Sequence, residues 1–282
     1  MRDVLCPICE KDNSSPLFCV DGLQLVRCTT CGLTYYNPDV DIEEHYALLN
    51  EDFFVAPANQ KARAGGTYSF DVYMQNLKDP SIIGYPDYLE PEHLRAKELW
   101  GKKVLSWFVQ AWQKQGYAGL PSSILELGCA TGNMLVPFVE AEWGPVVGQE
   151  VSPWIMQHKD PRIDVRLGEL HSLDLGNAKF NCVLMWDSFE HVQFPNECLK
   201  KVSEVTTEQA LIIIQTPDVD LSCVDWIYWS PRQHVHFWSK NTLSLMFDKH
   251  SWEIIGEKIS PEADESIFIF AKKPSLKGKK KP

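Results

Sequence analysis

From Ser122 onward, short apolar runs alternate with stretches of helical character. Ile124-Leu125-Glu126-Leu127, Val146-Val147-Gly148, Ile163-Asp164-Val165, Asn181 to Met185 and Ala210 to Ile214 are each too short for a helix and rich in branched residues, which predicts buried strands. Strands alternating with helical stretches make an α/β parallel sheet. Two last runs, Trp252 to Ile259 and Ser266 to Ala271, follow each other closely and predict a terminal antiparallel hairpin. Residues 41–118 read as helical with interruptions. Ile42, His45, Tyr46 and Leu49 share a helical face, and Ala56-Pro57, Gly65-Gly66 and Tyr85-Pro86 break the pattern. Within this stretch 91–115 reads as a continuous helix. Pro91 suits its first turn, Leu94, Leu99, Val104, Leu105, Phe108 and Val109 recur near helical period, and Trp100, Trp107 and Trp112 read as packing residues. A last helix follows Ser239, a good cap, with Leu243, Leu245, Met246 and Phe247 as its apolar positions. There is no internal repeat and no run near the ~18 apolar residues of a membrane span.

The chain has 282 residues, against about 150 per domain, which fits one large domain or a domain with a small module. With 44% hydrophobic residues the composition excludes a disordered chain. The net charge of −11 argues against a protein that lives on phosphate backbones. Lys272, Lys273, Lys277, Lys279, Lys280 and Lys281 crowd the C-terminus, so the body is more acidic than the total indicates, and 273–282 reads as a disordered basic tail. The N-terminus MRDVLCPICE lacks an apolar signal core, so a cytoplasmic location is the default expectation.

Nine cysteines in a reducing compartment call for something other than disulfides. Cys6-Pro-Ile-Cys9 and Cys28-Thr-Thr-Cys31 are two CxxC pairs separated by eighteen residues, the spacing of a four-thiolate zinc site. Each pair forms a tight turn that aims two sulfurs at one point, and Gly32 suits a left-handed backbone there. A closed four-sulfur site is structural. It substitutes for the core that about forty residues cannot build. Cys19, between the pairs, and Cys182, Cys198 and Cys223 read as packing residues.

The chemistry concentrates in Ile124-Leu-Glu126-Leu-Gly128-Cys129-Ala130-Thr-Gly132-Asn133-Met. A buried strand runs into a small-residue turn and then a helix, so backbone amides face whatever lies above the strand's end. Glu126 at the mouth of that loop would repel a pyrophosphate but suits a ligand bearing an ammonium and a sulfonium. This segment resembles the first motif of the class I S-adenosylmethionine-dependent methyltransferases, with Ala130 in place of the family's middle glycine. By that resemblance the Gly128–Gly132 loop, with Cys129, Ala130 and Asn133, cradles the methionine part of the cofactor, and Glu126 sits near its ammonium.

Three further motifs follow in order. Glu150 ends the second strand eighteen residues after Gly132, where a carboxylate can accept from both ribose hydroxyls, with Val151 against the adenine. Ser152-Pro153 also reads as a helix cap and first turn. The resemblance places Glu169 and Leu170 near the adenine amino group. It matches Trp186-Asp187-Ser-Phe-Glu-His191-Val to the loop after the fourth strand, so Trp186, Asp187 and His191 border the transferred methyl. His191 titrates near neutrality and is a candidate general base, or else orders its loop.

Between the fifth strand and the hairpin runs a connection rich in aromatics, in which Trp226, Tyr228, Trp229 and Trp238 are candidates for an acceptor pocket. His234 and His236 alternate and share one face of an extended backbone. They read as a base, an acceptor-orienting pair, or two of three metal ligands, although no carboxylate lies at helical spacing to complete such a site. The resemblance covers roughly residues 90–272 and implies an α/β, Rossmann-like seven-stranded sheet of order 3-2-1-4-5-7-6 with strand seven antiparallel. The expected organisation is a zinc ribbon over 1–40, a helical connector or lid over 41–118, and a cofactor-binding methyltransferase domain over 119–272. The expected reaction is methyl transfer from S-adenosylmethionine to a small-molecule acceptor such as a sugar or biosynthetic intermediate, at a hydroxyl, with a histidine base. The alternatives are an RNA or protein methyltransferase that recognises its substrate with the ribbon, and a non-catalytic cofactor-binding assembly protein. The acceptor and the oligomeric state stay open.

Overall fold

A computed structural model describes residues 4–20, 22–37, 46–47, 50, 54, 88–222, 226, 228–229, 233–259 and 266–274. The readings made above for Ile42, His45, Leu49, the breaks at 56–57, 65–66 and 85–86, Cys223 and the tail from 275 onward lie outside these residues.

The N-terminal sheet contains β1 (Ser14–Val20), β2 (Leu23–Cys28) and β3 (Thr34–Tyr36), paired antiparallel in that order. Its fourth strand comes from far along the chain: β9 (His236–Phe237) pairs with β3 through Thr34 opposite Phe237 and Tyr35 opposite His236. The ribbon sheet is thus closed by the connection that follows the fifth strand of the large sheet.

The large sheet has β4 (Ile124–Leu127), β5 (Val146–Glu150), β6 (Asp164–Leu167), β7 (Phe180–Trp186), β8 (Thr206–Pro217), β10 (Glu253–Ile259) and β11 (Ser266–Lys272). Its order is β10-β11-β8-β7-β4-β5-β6, with β11 antiparallel to both β8 and β10. Counted within this sheet, that is the expected 3-2-1-4-5-7-6.

Central strands are apolar on both faces because both faces are covered. Leu125, Val183, Met185, Ile212 and Ile214 join one core, which continues into the ribbon through Cys6, Val26, Leu33 and Tyr35. Their alternate neighbours Ile124, Cys182, Leu184, Leu211 and Ile213 join a second core under α1 (Pro91–Lys114), through Val104, Phe108 and Trp112. The tryptophans of α1 pack as expected: Trp107 meets Phe268 edge-on at 5.7 Å and Trp100 meets Trp186 at 5.0 Å.

The connections on the β5–β6 side differ from the expected helices. After α2 (Val136–Glu140), residues 155–158 and 170–172 form single 3-10 turns. Pro153 and Pro161 bracket the first of these links, and Pro161 cannot continue a helix at its far end. Ser152 does not occupy the cap position, which is Trp154, but its Oγ accepts from the Ile155 amide at 3.3 Å. Two further helices among the described residues are α3 (Pro195–Val205) and α4 (Lys240–Lys249), the latter started by a reciprocal cap in which Ser239 Oγ accepts from Thr242 N and Thr242 Oγ1 from Ser239 N.

Candidate functional site

The four expected cysteines converge. Cys6 Sγ lies 3.4 Å from Cys31 Sγ, Cys9 Sγ 3.3 Å from Cys28 Sγ, and Cys9 Sγ 3.9 Å from Cys31 Sγ. A tetrahedral zinc with bonds near 2.3 Å separates its sulfurs by about 3.8 Å, so the donor set fits that ion. The turns are built by Glu10 N donating to Cys6 O at 2.7 Å and Gly32 N donating to Cys28 O at 2.9 Å, with Gly32 at φ +83°. Cys19 is exposed rather than buried: it sits on the outer hairpin, and its thiol donates to Gln24 Oε1 at 3.2 Å. Cys182 and Cys198 are buried packing residues as expected.

A cleft of about 790 Å³, including its open mouth, lies above the carboxyl ends of β4, β5, β6 and β7. Its lining includes Leu127, Gly128, Ala130, Glu150, Val151, Glu169, Leu170, Asp187 and His191. The turn after β4 runs through left-handed backbone at Gly128 (φ +65°), Ala130 (φ +47°) and Gly132 (φ +79°). A Cβ at Gly128 would come within 2.8 Å of the Ser188 Cβ, so only glycine lets the two loops approach. Ala130 holds its strained conformation with its amide donating to Glu150 Oε2 at 2.9 Å.

Three acids surround this turn. Glu126 is buried, and Oε2 has no hydrogen-bond partner. Burial pushes its carboxyl up to about 8; Lys97 opposes the shift and Glu150 adds to it. Glu150 Oε1 accepts from the amides of Val151 at 2.7 Å and Ser152 at 2.9 Å. With Ala130 on Oε2, three of its roughly four acceptor positions are taken, which leaves room for one ligand hydroxyl rather than two. Burial raises Glu150 above the usual carboxylate range, and those three amides pull it back. Glu169 is likewise raised by burial, with His171 opposing.

Not every expected cofactor residue reaches the cleft: Glu126 is absent from its lining and shares the α1 face of the sheet with Ile124 and Leu184. Trp186 is the last residue of β7, and strand alternation turns it to the α1 face, against Trp100 and Phe268. Asp187, one residue on, does line the cleft. Its carboxyl is raised by burial and lowered again by Lys97 and Gln215. Cys129 is buried beneath β5, where a Cβ at Gly148 would meet its sulfur. Gly132 packs on Ile163, and Asn133 donates to Glu98 Oε1 at 3.2 Å, so both brace the loop from below. Residues missed in the sequence also line the cleft: Gln149, Ser188, Tyr46, Phe54 and Tyr88. Phe54 stacks on Trp154 at 5.6 Å and meets Tyr88 edge-on at 5.2 Å. Apart from its aromatic residues, the connector carries no local motif that would have marked it.

The histidines divide. His191 lines the cleft and donates from Nδ1 to Gln233 O at 2.6 Å. His234 donates from Nδ1 to Tyr228 O at 2.9 Å, and its ring lies 4.7 Å from that of His191. His236 goes elsewhere. A bend at Val235 breaks the alternation that would have put His234 and His236 on one face. His236 lies in β9, donates to Val192 O at 3.1 Å and borders a different cavity with Cys6, Tyr36 and Phe194. Burial pushes it down to about 4, partly offset by the Val192 carbonyl. The residue that joins His191 and His234 is Glu190, part of the Glu-His-Val triplet but not singled out as a site residue. It is buried, and its Oε2 accepts from Thr216 Oγ1 at 2.9 Å.

The four aromatics expected at the acceptor pocket are absent from the described lining of the cleft. Trp226, Tyr228 and Trp229 pack with Leu25, Tyr36 and Phe237 against the ribbon sheet, and Trp229 meets Phe237 at 4.8 Å. Trp238 is fully buried and stacks on Phe189 at 5.0 Å. The ribbon has too few apolar residues for a core of its own, and these rings complete it.

The sequence matches the methyltransferase-domain family over residues 96–257, more than half of the chain. It is similar to an uncharacterized 37.1 kDa protein in a transposon of Streptomyces fradiae, 26% identical over 112 residues, which is 37% of this chain and 32% of that protein. The chain therefore spans about a third of the length of that relative. Among solved structures, a glycopeptide N-methyltransferase is 12% identical, with 62% of this chain and 90% of that one covered at a TM-score of 0.46. An S-adenosylmethionine-dependent methyltransferase from Clostridium acetobutylicum is 11% identical, with 62% and 92% covered at a TM-score of 0.47. On the match over residues 96–257, and with the seven strands in the order described, the chain belongs to the methyltransferase-domain family.

Proposed function

We propose that the protein transfers a methyl group from S-adenosylmethionine to a hydroxyl of a small-molecule acceptor, and that a structural zinc held by Cys6, Cys9, Cys28 and Cys31 fixes its ribbon. The observation that carries the cofactor reading is the turn of left-handed small residues at Gly128 and Ala130, which lines the cleft together with Glu150. Glu126, two residues before it and outside the cleft's lining, keeps a buried carboxyl oxygen without a hydrogen bond, which a nearby cationic ligand group would relieve. In this reading Gly128 and Ala130 let the backbone approach the cofactor, Glu126 faces its ammonium, and Glu150 accepts from a ribose hydroxyl. Glu169 and Leu170 lie where the adenine would sit.

The bound cofactor supplies a sulfonium methyl that is already electrophilic. The chain's own part is then to align the acceptor, exclude water and remove one proton. Phe54 and Tyr88 cover the cleft from the connector side, and Asp187 and His191 border its acceptor half. The Glu190–His191–His234 cluster is where the hydroxyl proton is handled, with His191 the member that reaches the cleft. A small acceptor is favoured over nucleic acid because the protein is acidic and the ribbon carries only Lys11 and Arg27 as basic residues between Cys6 and Cys31.

The test is calorimetric titration with S-adenosylmethionine, followed by assay of S-adenosylhomocysteine release with sugars, nucleotide-sugars and other hydroxyl-bearing intermediates. Saturable binding and acceptor-dependent release are expected. No binding ends the cofactor reading, and release driven only by RNA or protein ends the small-molecule one.

A further inference from the structure

Glu190, His191 and His234 bring three ligand atoms within 4.8 Å of one another. We propose that they form a divalent transition-metal site, separate from the four-cysteine cluster, on the border of the cleft.

The donor chemistry is the first argument. Both imidazoles give their Nδ1–H to a backbone carbonyl, Gln233 O at 2.6 Å and Tyr228 O at 2.9 Å. In the neutral rings this puts the lone pair on Nε2 and fixes the ring planes, which is the arrangement that outer hydrogen bonds impose on metal-bound histidines. Glu190 supplies the carboxylate. Thr216 Oγ1 holds its Oε2 at 2.9 Å, while Oε1 has no hydrogen bond and lies 4.0 Å from His191 Nε2. A buried carboxylate oxygen left in that state is unfavourable, and a cation relieves it.

Geometry agrees to within small side-chain movements. Ligands on a tetrahedral ion with bonds near 2.0–2.1 Å stand about 3.3–3.4 Å apart, so the three have to close by roughly 1 Å. The set is assembled from two places. Glu190 and His191 sit on the 3-10 turn Phe189–His191 after β7, and His234 on the approach to β9. Two imidazoles with one carboxylate favour zinc, iron, cobalt or manganese over magnesium and calcium, which prefer oxygen ligands. Three protein ligands leave a coordination position open, and His191 lines the cleft on that side. An oxygen of the acceptor suits that position, and the ion, by lowering the pKa of a bound hydroxyl, would then replace the histidine base, because a metal-bound Nε2 has no lone pair left to take the proton. This last role rests on the methyltransferase reading; the metal site itself does not.

The experiment counts metal on the full chain. After dialysis against zinc and removal of excess, elemental analysis gives two equivalents per chain. Reconstitution with Co²⁺ then gives one equivalent with intense thiolate charge-transfer bands and one with only the weaker bands of nitrogen and oxygen ligands. Glu190→Gln and His191→Gln each reduce the count to one and leave the thiolate bands intact, and thermal unfolding on the same samples reports whether each variant is folded. A wild-type count of one, or a second equivalent that survives in folded Glu190→Gln, overturns the proposal. S-adenosylmethionine affinity, read separately on the wild type, bears on the cofactor reading alone.

Discussion

The two halves of the cleft are built differently. On the proposed cofactor side, Gly128 and Ala130 share one turn after β4, Glu150 is the last residue of β5 and Glu169 lies two residues past the end of β6. On the proposed acceptor side, Glu190 and His191 come from a turn after β7, Thr216 from β8 and His234 from a connection that continues into the ribbon sheet. The first half is a set of strand ends that parallel pairing brings together wherever the sheet forms. The second depends on whether the ribbon docks. The ribbon is therefore part of the acceptor side, because β9 pairs with β3 only two residues after His234.

The largest effect expected follows from that dependence. Removing the proposed zinc with a chelator, or replacing Cys9 by Ser, is expected to free β3 and the segment that carries His234. Thermal unfolding is expected to begin about 10 °C lower or more, with S-adenosylmethionine affinity far less affected than turnover. If affinity and turnover fell together, the two halves would not be separable and the contrast would fail.

Next in size is Glu150→Ala. It leaves the amides of Ala130, Val151 and Ser152 without their acceptor and removes the proposed ribose contact. The expected losses are about 1–3 kcal/mol of stability for unsatisfied buried donors and at least about a hundredfold in cofactor affinity by calorimetry. Unchanged affinity would remove Glu150 from the cofactor half.

Glu126 gives a pH signature. Its folded carboxyl is raised to about 8, so a cationic ligand has to displace a proton below that pH. Cofactor affinity is expected to rise with pH and level off above about 8, and Glu126→Gln to flatten the profile with roughly tenfold weaker binding. For the ligand-free protein the sign is opposite. A raised carboxyl stabilises the fold below its unfolded value and loses that contribution as pH climbs toward 8, so Glu126→Gln is expected to gain stability relative to the wild type at high pH. Calorimetry and denaturant melts across the range check both.

The smallest effect is expected at Trp229, half-buried against Phe237 and the ribbon. Trp229→Ala is expected to cost about 1–2 kcal/mol of stability and to leave the acceptor KM unchanged. A raised KM would return this ring to the acceptor pocket.

What could be read in the sequence had a local cause. Short continuous apolar runs rich in branched residues identified the strands, two CxxC pairs the sulfur cluster, and the Glu-x-Gly-x-Ala-x-Gly segment the left-handed turn beside the cleft, because in each case the residues involved are close in the chain or at fixed spacing. The tertiary structure decided the rest. Trp186 left the expected site because alternation turned it into the core under α1, while Trp226, Tyr228 and Trp229 went to the ribbon, where Leu25, Tyr36 and Phe237 offer apolar partners. A bend at Val235 separated His234 from His236 and brought it to Glu190, a pairing that no spacing rule along the chain encodes. Local periodicity sets which side of an element a residue faces; only the packing of distant elements sets what it meets there.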